Sequence, residues 1–252
     1  MPAPRWLLCR RRVPDAALRL YCFPHSGASP GEYLRWSDQL PDLEVVGVQA
    51  PGRGGRIAET PYTRMSDLVH AVATEAAFAP PFAFFGHSLG ALLAFEVARA
   101  LRTAGRPQPA LLFVSALGAP DVQPLRPPTH QLDDDRLLAT VAGDGGQLPA
   151  IIDQDAEMRR IVLACVRADA TVLDTYRHAP APPLDMPVIA LGGADDQQTP
   201  YLAGWAGHTT NRFDLHVLPG GHFYLREHHD DVVGVIRESV DRSRRATGAE
   251  RR

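Results

Sequence analysis

Residues 82–91 read FAFFGHSLGA, and this stretch decides the fold of the chain. It begins as a short apolar run with adjacent aromatic residues, the composition of a buried strand. It continues into ALLAFEVA, residues 91–98, a strong helix-forming sequence. Between the two lies Gly-x-Ser-x-Gly, formed by Gly86, Ser88 and Gly90. In a strand-turn-helix context this pattern indicates a nucleophile elbow, whose tight turn has no room for side chains beside the serine. We therefore predict that Ser88 is a nucleophile, and that the Leu89 amide, at the helix N-terminus, donates to an oxyanion.

Length and composition suit a soluble globular protein with one large α/β domain or two small ones. The chain has 252 residues, of which 45% are apolar and 22% charged. A net charge of −3 gives no case for nucleic-acid binding. Cys9, Cys22 and Cys165 are odd in number and lack C-x-x-C spacing, so a disulfide framework or a metal site is not expected. The sequence shows no signal peptide and no apolar run that could span a membrane, which leads us to expect a cytoplasmic protein.

Buried strand patterns alternate with helical patterns along most of the chain. The predicted strands are residues 18–23, 45–48, 82–85, 111–115, 188–191 and 213–218. This alternation predicts a mostly parallel sheet with helices on both faces. Functional sites in such sheets lie beyond the carboxyl ends of the strands, where the loops meet at one edge.

The alternation lapses between residues 117 and 183. This block has no strand pattern and two helical patterns, residues 133–141 and 155–176. The longer pattern has an apolar stripe of Met158, Ile161, Val162, Cys165, Val172 and Tyr176. We interpret the block as a helical lid inserted into a single domain of residues 1–252. The alternative is a pair of ordinary amphipathic helices that only pack on the core. Residues 242–252 are expected to be a frayed tail.

A serine nucleophile needs a base and an orienting acid. His222 directly follows the last predicted strand, where the base stands in the chain order Ser, acid, His. The acid should follow the strand at residues 188–191, and both Asp195 and Asp196 do so. Their spacing does not separate them. His87, inside the elbow, is assigned a packing role.

A second oxyanion donor is expected from the loop after an early strand. Residues 23–27, FPHSG, form that loop. Any of three amides there could turn inward, and our choice is the amide of Ser26.

At this point the chain resembles a known family, the stand-alone type II thioesterases of polyketide and nonribosomal peptide synthesis. The matching segments are residues 22–28, 51–56, 85–91, 167–169, 192–196 and 219–223. The resemblance implies an α/β-hydrolase fold with a helical lid. It implies hydrolysis of acyl thioesters from the phosphopantetheine arm of acyl or peptidyl carrier proteins, to edit stalled or wrong acyl groups. We further expect a monomer that needs no cofactor or metal and binds neither nucleic acid nor membrane.

The resemblance carries the family's triad to Ser88, His222 and one of the two aspartates. Members usually have a proline after the acid, an alignment that favours Asp196, but Gln197 stands in its place and keeps Asp195 open. Leu89 and Ser26 replace a common methionine and alanine, but both would act through backbone amides. Two family arginines match Arg53 and Arg56, for which we expect internal ion pairs rather than substrate contact.

Other functions are compatible with part of this pattern. A general esterase or lipase would use the same triad. A chain-releasing thioesterase is a closer rival, although such domains are normally fused to a synthase. A non-catalytic binding protein of the same fold is disfavoured, because nucleophile, acid and base candidates are all present in order.

Overall fold

The computed structural model describes residues 6–122, 127–142 and 151–249. Its centre is a seven-stranded sheet in the order β1-β3-β2-β4-β5-β6-β7. The strands are β1 (Leu7–Cys9), β2 (Leu18–Phe23), β3 (Leu43–Val48), β4 (Phe82–His87), β5 (Leu112–Ser115), β6 (Val188–Gly193) and β7 (Phe213–Leu218). Only β1 runs antiparallel to its neighbour, β3, and all other pairs are parallel. The predicted mostly parallel α/β sheet is confirmed.

Eight α-helices accompany the sheet in the described part of the chain. They are α1 (Gly31–Leu34), α2 (Met65–Glu75), α3 (Leu89–Thr103), α4 (Asp134–Ala142), α5 (Ile151–Gln154), α6 (Ala156–Thr175), α7 (Tyr224–Glu227) and α8 (His229–Ala249). A 3-10 helix covers Thr199–His208. The prediction of a frayed tail from residue 242 is wrong as far as the described residues reach, because α8 continues to Ala249.

Strand β4 shows how the sheet is buried on both faces. Its side chains alternate, as the two-residue period of a strand requires. Phe82 and Phe84 pack with α2 and α3 on one face, whereas Ala83 and Phe85 pack with α1 and α8 on the other. Every residue of β4 is buried. Because β4 lies at the centre of the sheet, the loop at its carboxyl end is held from both sides.

The segment between β5 and β6 holds α4, α5 and α6. Residues 123–126 and 143–150 of the predicted insertion lie outside the described residues, and the described remainder has no strand. Helix α6 begins after Asp155, whose side chain caps it by accepting from the Glu157 and Met158 amides. The three helices share a small apolar cluster of their own, made by Leu137, Leu138, Ile152, Leu163, Val166 and Ala170. Helices of this kind suit a lid, but the division into one domain with an inserted lid stays a prediction.

Candidate active site

The turn between β4 and α3 has the geometry of a nucleophile elbow. Ser88 adopts φ 55° and ψ −123°, a backbone conformation that costs an L-residue about 1–3 kcal/mol. A Cβ on Gly86 would overlap with the carbonyl of Gly90, and a Cβ on Gly90 would overlap with the carbonyl of Phe23. Both glycines are therefore required by the close approach of backbone. The Ser88 amide donates to the carbonyl of Ser115 (2.8 Å), which anchors the strained turn to β5.

The structure brings Asp196 against His222. The Asp196 Oδ2 lies 2.9 Å from Nδ1 of His222, and Oδ1 accepts from the Gln198 amide at 3.0 Å. The Asp196 side chain is 6% exposed, whereas that of His222 is 32% exposed. Asp195 is exposed and has no such contact. The pairing that the sequence spacing left open therefore falls to Asp196.

Backbone hydrogen bonds hold the acid loop and the base loop together. The Ala194 amide donates to the carbonyl of Leu218 (2.7 Å), and the Asp195 amide donates to the carbonyl of Gly220 (2.9 Å). These bonds extend the β6–β7 pairing beyond the ends of both strands. In the neutral tautomer that donates from Nδ1 to the carboxylate, Nε2 of His222 can accept a proton.

Two of the amides in the loop after β2 are already occupied. The Gly27 amide donates to Oδ2 of Asp169 (2.7 Å), and the Ala28 amide donates to the carbonyl of His25 (3.1 Å). The Ser26 amide donates to no group within the described ranges. The Leu89 amide opens α3 and so has no acceptor within the helix. The Ser26 and Leu89 amides are thus available at this edge of the sheet, and the His25 amide also donates to no group within the described ranges.

A cavity of about 140 Å³ lies beside the nucleophile, the base and the loop after β2. Ser26, Ser88 and His222 line it together. The remaining lining residues are His25, Leu117, Thr129, Thr140, Val166, Ala170, Leu173 and Phe223. Six of them come from the segment between β5 and β6: Leu117, Thr129, Thr140, Val166, Ala170 and Leu173. That segment therefore covers the nucleophile.

The residues of α6 that face the cavity differ from those of the predicted stripe. The cavity is lined by Val166, Ala170 and Leu173, none of which belongs to the stripe. Two stripe residues, Cys165 and Val172, are buried, and Val172 joins the main core. Because α6 is covered on two sides, its apolar surface is wider than one stripe, and the sequence pattern could not separate the core side from the cavity side. Leu117, Thr129, Thr140 and Phe223 had no separate sequence signal.

Two further histidines lie beside His222 and are neutral. The rings of His25 and His87 are 5.7 Å apart, and those of His87 and His222 are 5.3 Å apart. Burial lowers the pKa of His25 to about 3, and it holds the pKa of His87 well below its usual value. His87 is fully buried, and its Nδ1 lies 2.8 Å from Oγ of Ser115, in agreement with the predicted packing role. Neither ring therefore places a positive charge against His222 near neutral pH.

Acid is expected to destabilise the fold through His25. Below pH 6.5 the unfolded chain binds a proton at this residue that the folded chain does not bind until about pH 3, so stability falls as pH falls through that window. The loss attributable to His25 is about 2 kcal/mol at pH 5. Urea unfolding at pH 7.5 and pH 5 measures it. His25→Gln should lose about 2 kcal/mol less between the two pH values than wild type, whereas His70→Gln, at an exposed position, should behave like wild type. An equal loss in all three proteins would contradict this origin.

Both arginines of the loop after β3 form internal ion pairs, as expected. Arg53 binds the carboxylate of Asp169 with two nitrogens, each at 2.7 Å from an oxygen. Arg56 binds Glu59 at 2.7 Å and also donates to the carbonyl of Gln49. The Arg53 and Asp169 side chains are 10% and 4% exposed. Neither arginine lines the cavity beside Ser88.

The described residues contain neither a cluster of metal-ligating side chains nor a membrane-spanning helix. Within the described ranges, no three His, Cys, Asp or Glu side chains are grouped as metal ligands would be. None of the described helices combines the length and the apolar character needed to span a bilayer.

Comparison with known proteins identifies relatives over almost the whole chain. A family model described as thioesterase domain matches residues 18–240. Gramicidin S biosynthesis protein GrsT of Aneurinibacillus migulanus is 36% identical over 236 residues, which cover 91% of each chain. Thioesterase PikA5 of Streptomyces venezuelae is 38% identical over 241 residues, covering 93% of this chain and 85% of that protein. Among solved structures, the type II thioesterase BorB from the borrelidin biosynthetic cluster has 37% identity and a TM-score of 0.83, covering 93% of this chain and 97% of that chain.

Proposed function

This chain belongs to the thioesterase domain family, and from that premise we propose that it removes acyl groups from the phosphopantetheine arms of acyl or peptidyl carrier proteins. Hydrolysis of acyl thioesters is the activity of the family, and the α/β-hydrolase fold agrees with it. The proposal adds the carrier-bound substrate and an editing role that clears stalled or wrong acyl groups. It is supported by the similarity to GrsT, PikA5 and BorB, whose names refer to gramicidin S biosynthesis, a thioesterase and a type II thioesterase of the borrelidin cluster.

The observation that carries the mechanism is the 2.9 Å contact between Asp196 and His222. His222 and Ser88 line the same cavity. In the proposed mechanism, Oγ of Ser88 attacks the thioester carbonyl while His222 takes the hydroxyl proton. The amides of Ser26 and Leu89 stabilise the resulting oxyanion. The carbon–sulfur bond then breaks and the thiol leaves with the proton from His222. A water molecule, deprotonated by His222, then attacks the acyl-enzyme. The bond between the acyl carbon and Oγ of Ser88 breaks, His222 returns the proton to Ser88, and the carboxylic acid leaves.

The proposal also covers cofactor use, oligomeric state, localisation and partners. All the chemistry is assigned to side chains and amides of this chain, so no cofactor or metal is required. The enzyme is proposed to act as a monomer in the cytoplasm, where its carrier-protein partners would present the acyl group. A general esterase would share the triad, so the substrate has to be distinguished by experiment.

Substrate preference tests the proposal directly. One acyl group, for example propionyl, is offered on a carrier protein, as a thioester of a small thiol, and as an oxygen ester. We expect kcat/KM to be highest for the carrier protein, at least about 10-fold above the small thioester, because contacts with the carrier add binding energy. At low concentration, apo-carrier protein should inhibit hydrolysis of the acylated carrier but should not inhibit hydrolysis of the small thioester. Faster hydrolysis of the oxygen ester than of the thioesters would indicate a general esterase. Hydrolysis limited to one full-length acyl chain would indicate a chain-releasing thioesterase.

The lid contacts give a prediction about acyl length. Ala170 lines the cavity, whereas Ala164 is exposed on the same helix, α6. Ala170→Leu adds three carbon atoms to a cavity of about 140 Å³ and should exclude longer acyl groups first. Since one methylene in an apolar pocket is worth about 1–3 kcal/mol, we expect kcat/KM for hexanoyl relative to acetyl thioester to fall at least 10-fold. Ala164→Leu is the matched control and should leave the ratio unchanged. An unchanged chain-length profile in both variants would contradict a lid that limits acyl length.

A further inference from the structure

The carboxylate of Asp169 joins three parts of the protein that are far apart in sequence. Asp169 lies on α6 and accepts three hydrogen bonds, all at 2.7 Å: one from the Gly27 amide and two from the Arg53 guanidinium. Gly27 belongs to the loop after β2, and Arg53 to the loop after β3. The Asp169 side chain is 4% exposed, so these bonds are shielded from water. The carboxylate thus connects the helix over the nucleophile with the loop that holds the Ser26 amide.

The contact with Gly27 fixes a peptide group next to the proposed oxyanion donor. The Gly27 amide points to α6, and the Ala28 amide closes a turn on the carbonyl of His25. With these two amides engaged, the Ser26 amide, which donates to no group among the described residues, stays available as a donor. A loop without the Asp169 acceptor would have a half-buried, unpartnered Gly27 N–H, and its peptide groups would rotate to satisfy that donor. Oxyanion donors act only within a narrow range of distance and direction. Such a rotation would therefore weaken the hydrogen bond from the Ser26 amide to the oxyanion.

The role of Arg53 is to orient the carboxylate. A bidentate Arg–carboxylate pair fixes the plane of the carboxylate as well as its position. The guanidinium of Arg53 is itself held by its Nε, which donates to the carbonyl of Pro51. The loop after β3 therefore holds Arg53, Arg53 orients the Asp169 carboxylate, and Asp169 holds the loop after β2.

We propose that Asp169 is a positioning residue that holds the oxyanion loop in place from the lid helix. It touches no reacting atom, and its effect passes through the Gly27 amide to the Ser26 amide. The inference rests on the proposed function, because it takes Ser26 as the oxyanion donor. It also makes the oxyanion site depend on the position of α6, so that displacement of the lid would disable the Ser88 chemistry.

Two double variants separate this role from simple stabilisation. Removing Asp169 alone would leave Arg53 buried and unpaired, a change that can unfold the protein. We therefore compare Arg53→Met/Asp169→Asn with Arg53→Met/Asp169→Leu. Both lack the ion pair and have side chains of similar size, but only the asparagine oxygen can still accept from the Gly27 amide. The substrate is an acyl thioester of pantetheine, and each kcat is divided by the fraction of active sites titrated with a fluorophosphonate.

The leucine variant should have a kcat about 10–100-fold below that of the asparagine variant, with KM within about 3-fold. An acyl trifluoromethyl ketone, which forms a tetrahedral oxyanion on the serine, should bind the leucine variant more weakly by the same factor. Glu59→Gln, which breaks the neighbouring Arg56 pair, should lower thermal stability without changing kcat. If the leucine variant does not fold, Arg53→Met/Asp169→Ala takes its place.

Equal kcat values and equal ketone affinities in the two double variants would overturn the role of Asp169 while leaving the proposed function intact. Absence of turnover by the wild-type enzyme on carrier-bound and pantetheine thioesters would contradict the proposed function, and this inference with it. A kcat loss in the leucine variant that is matched by Glu59→Gln would show general destabilisation and would also overturn the inference.

Discussion

Replacing Ser88 by alanine is expected to lower kcat for acyl thioester hydrolysis on the order of 10⁶-fold, to the residual activity of the remaining site. The cause is the loss of the nucleophile, without which no acyl-enzyme forms. The fold should be retained, because the Ser88 side chain makes no capping hydrogen bond at α3 and the residue is only partly buried. Steady-state hydrolysis and thermal unfolding measure the two effects.

Covalent labelling tests the same assignment independently of turnover. A fluorophosphonate should label Ser88 in the wild-type enzyme, and the label should be absent from Ser88→Ala. Ser66→Ala, at an exposed position, is the matched control and should be labelled and active like wild type. A label on another residue, together with an active Ser88→Ala variant, would contradict the nucleophile.

The elbow could be predicted from the sequence because its requirements are local. Gly86 and Gly90 are needed where backbone approaches backbone, and the aromatic run before them is needed to bury a central strand. His222 could be placed for a similar reason, since the carboxyl ends of parallel strands meet at one edge. These features depend on residue type and chain order, both of which the sequence displays.

The choice between Asp195 and Asp196 depends on burial, which the sequence does not display. The two residues are adjacent, so their side chains leave the loop in different directions, and only Asp196 faces His222. A local signal exists in retrospect: Oδ1 of Asp196 accepts from the amide two residues later, an Asx-type turn that Asp, Asn and Ser favour. That signal applies to Asp195 equally well, and so it could not have decided the matter.

The contact faces of α6 are the part of the site that the sequence predicts least well. Helix α6 packs on the core through Val172 and covers the cavity through Val166 and Ala170, and one amphipathic stripe cannot describe two contact faces. Asp169 is a carboxylate on a buried part of this helix, and it pairs with Arg53. The sequence predicts an internal ion pair for Arg53, but nothing in its pattern identifies Asp169 as the partner.

Asp196→Asn is expected to lower kcat about 10⁴-fold, by analogy with the serine protease triad. The asparagine amide would donate to Nδ1 of His222 and so favour the tautomer that is protonated at Nε2. That tautomer cannot accept the Ser88 proton, and the imidazolium formed during the reaction would lose its buried carboxylate partner. KM should change little, because the Asp196 side chain does not line the cavity. The measurement is kcat and KM on one acyl thioester, with active sites counted by fluorophosphonate titration.

Asp195→Asn is the matched control, since it makes the same chemical change one residue earlier. Asp195 is exposed, and its contribution to the loop is the backbone bond from its amide to the carbonyl of Gly220, which asparagine retains. We expect its kcat to stay within about 3-fold of wild type, as is usual for an exposed substitution that removes no contact. A large loss in Asp195→Asn with a mild effect in Asp196→Asn would reverse the assignment. Mild effects in both variants would mean that His222 is oriented by a group outside this loop, and that the 2.9 Å contact serves stability rather than catalysis.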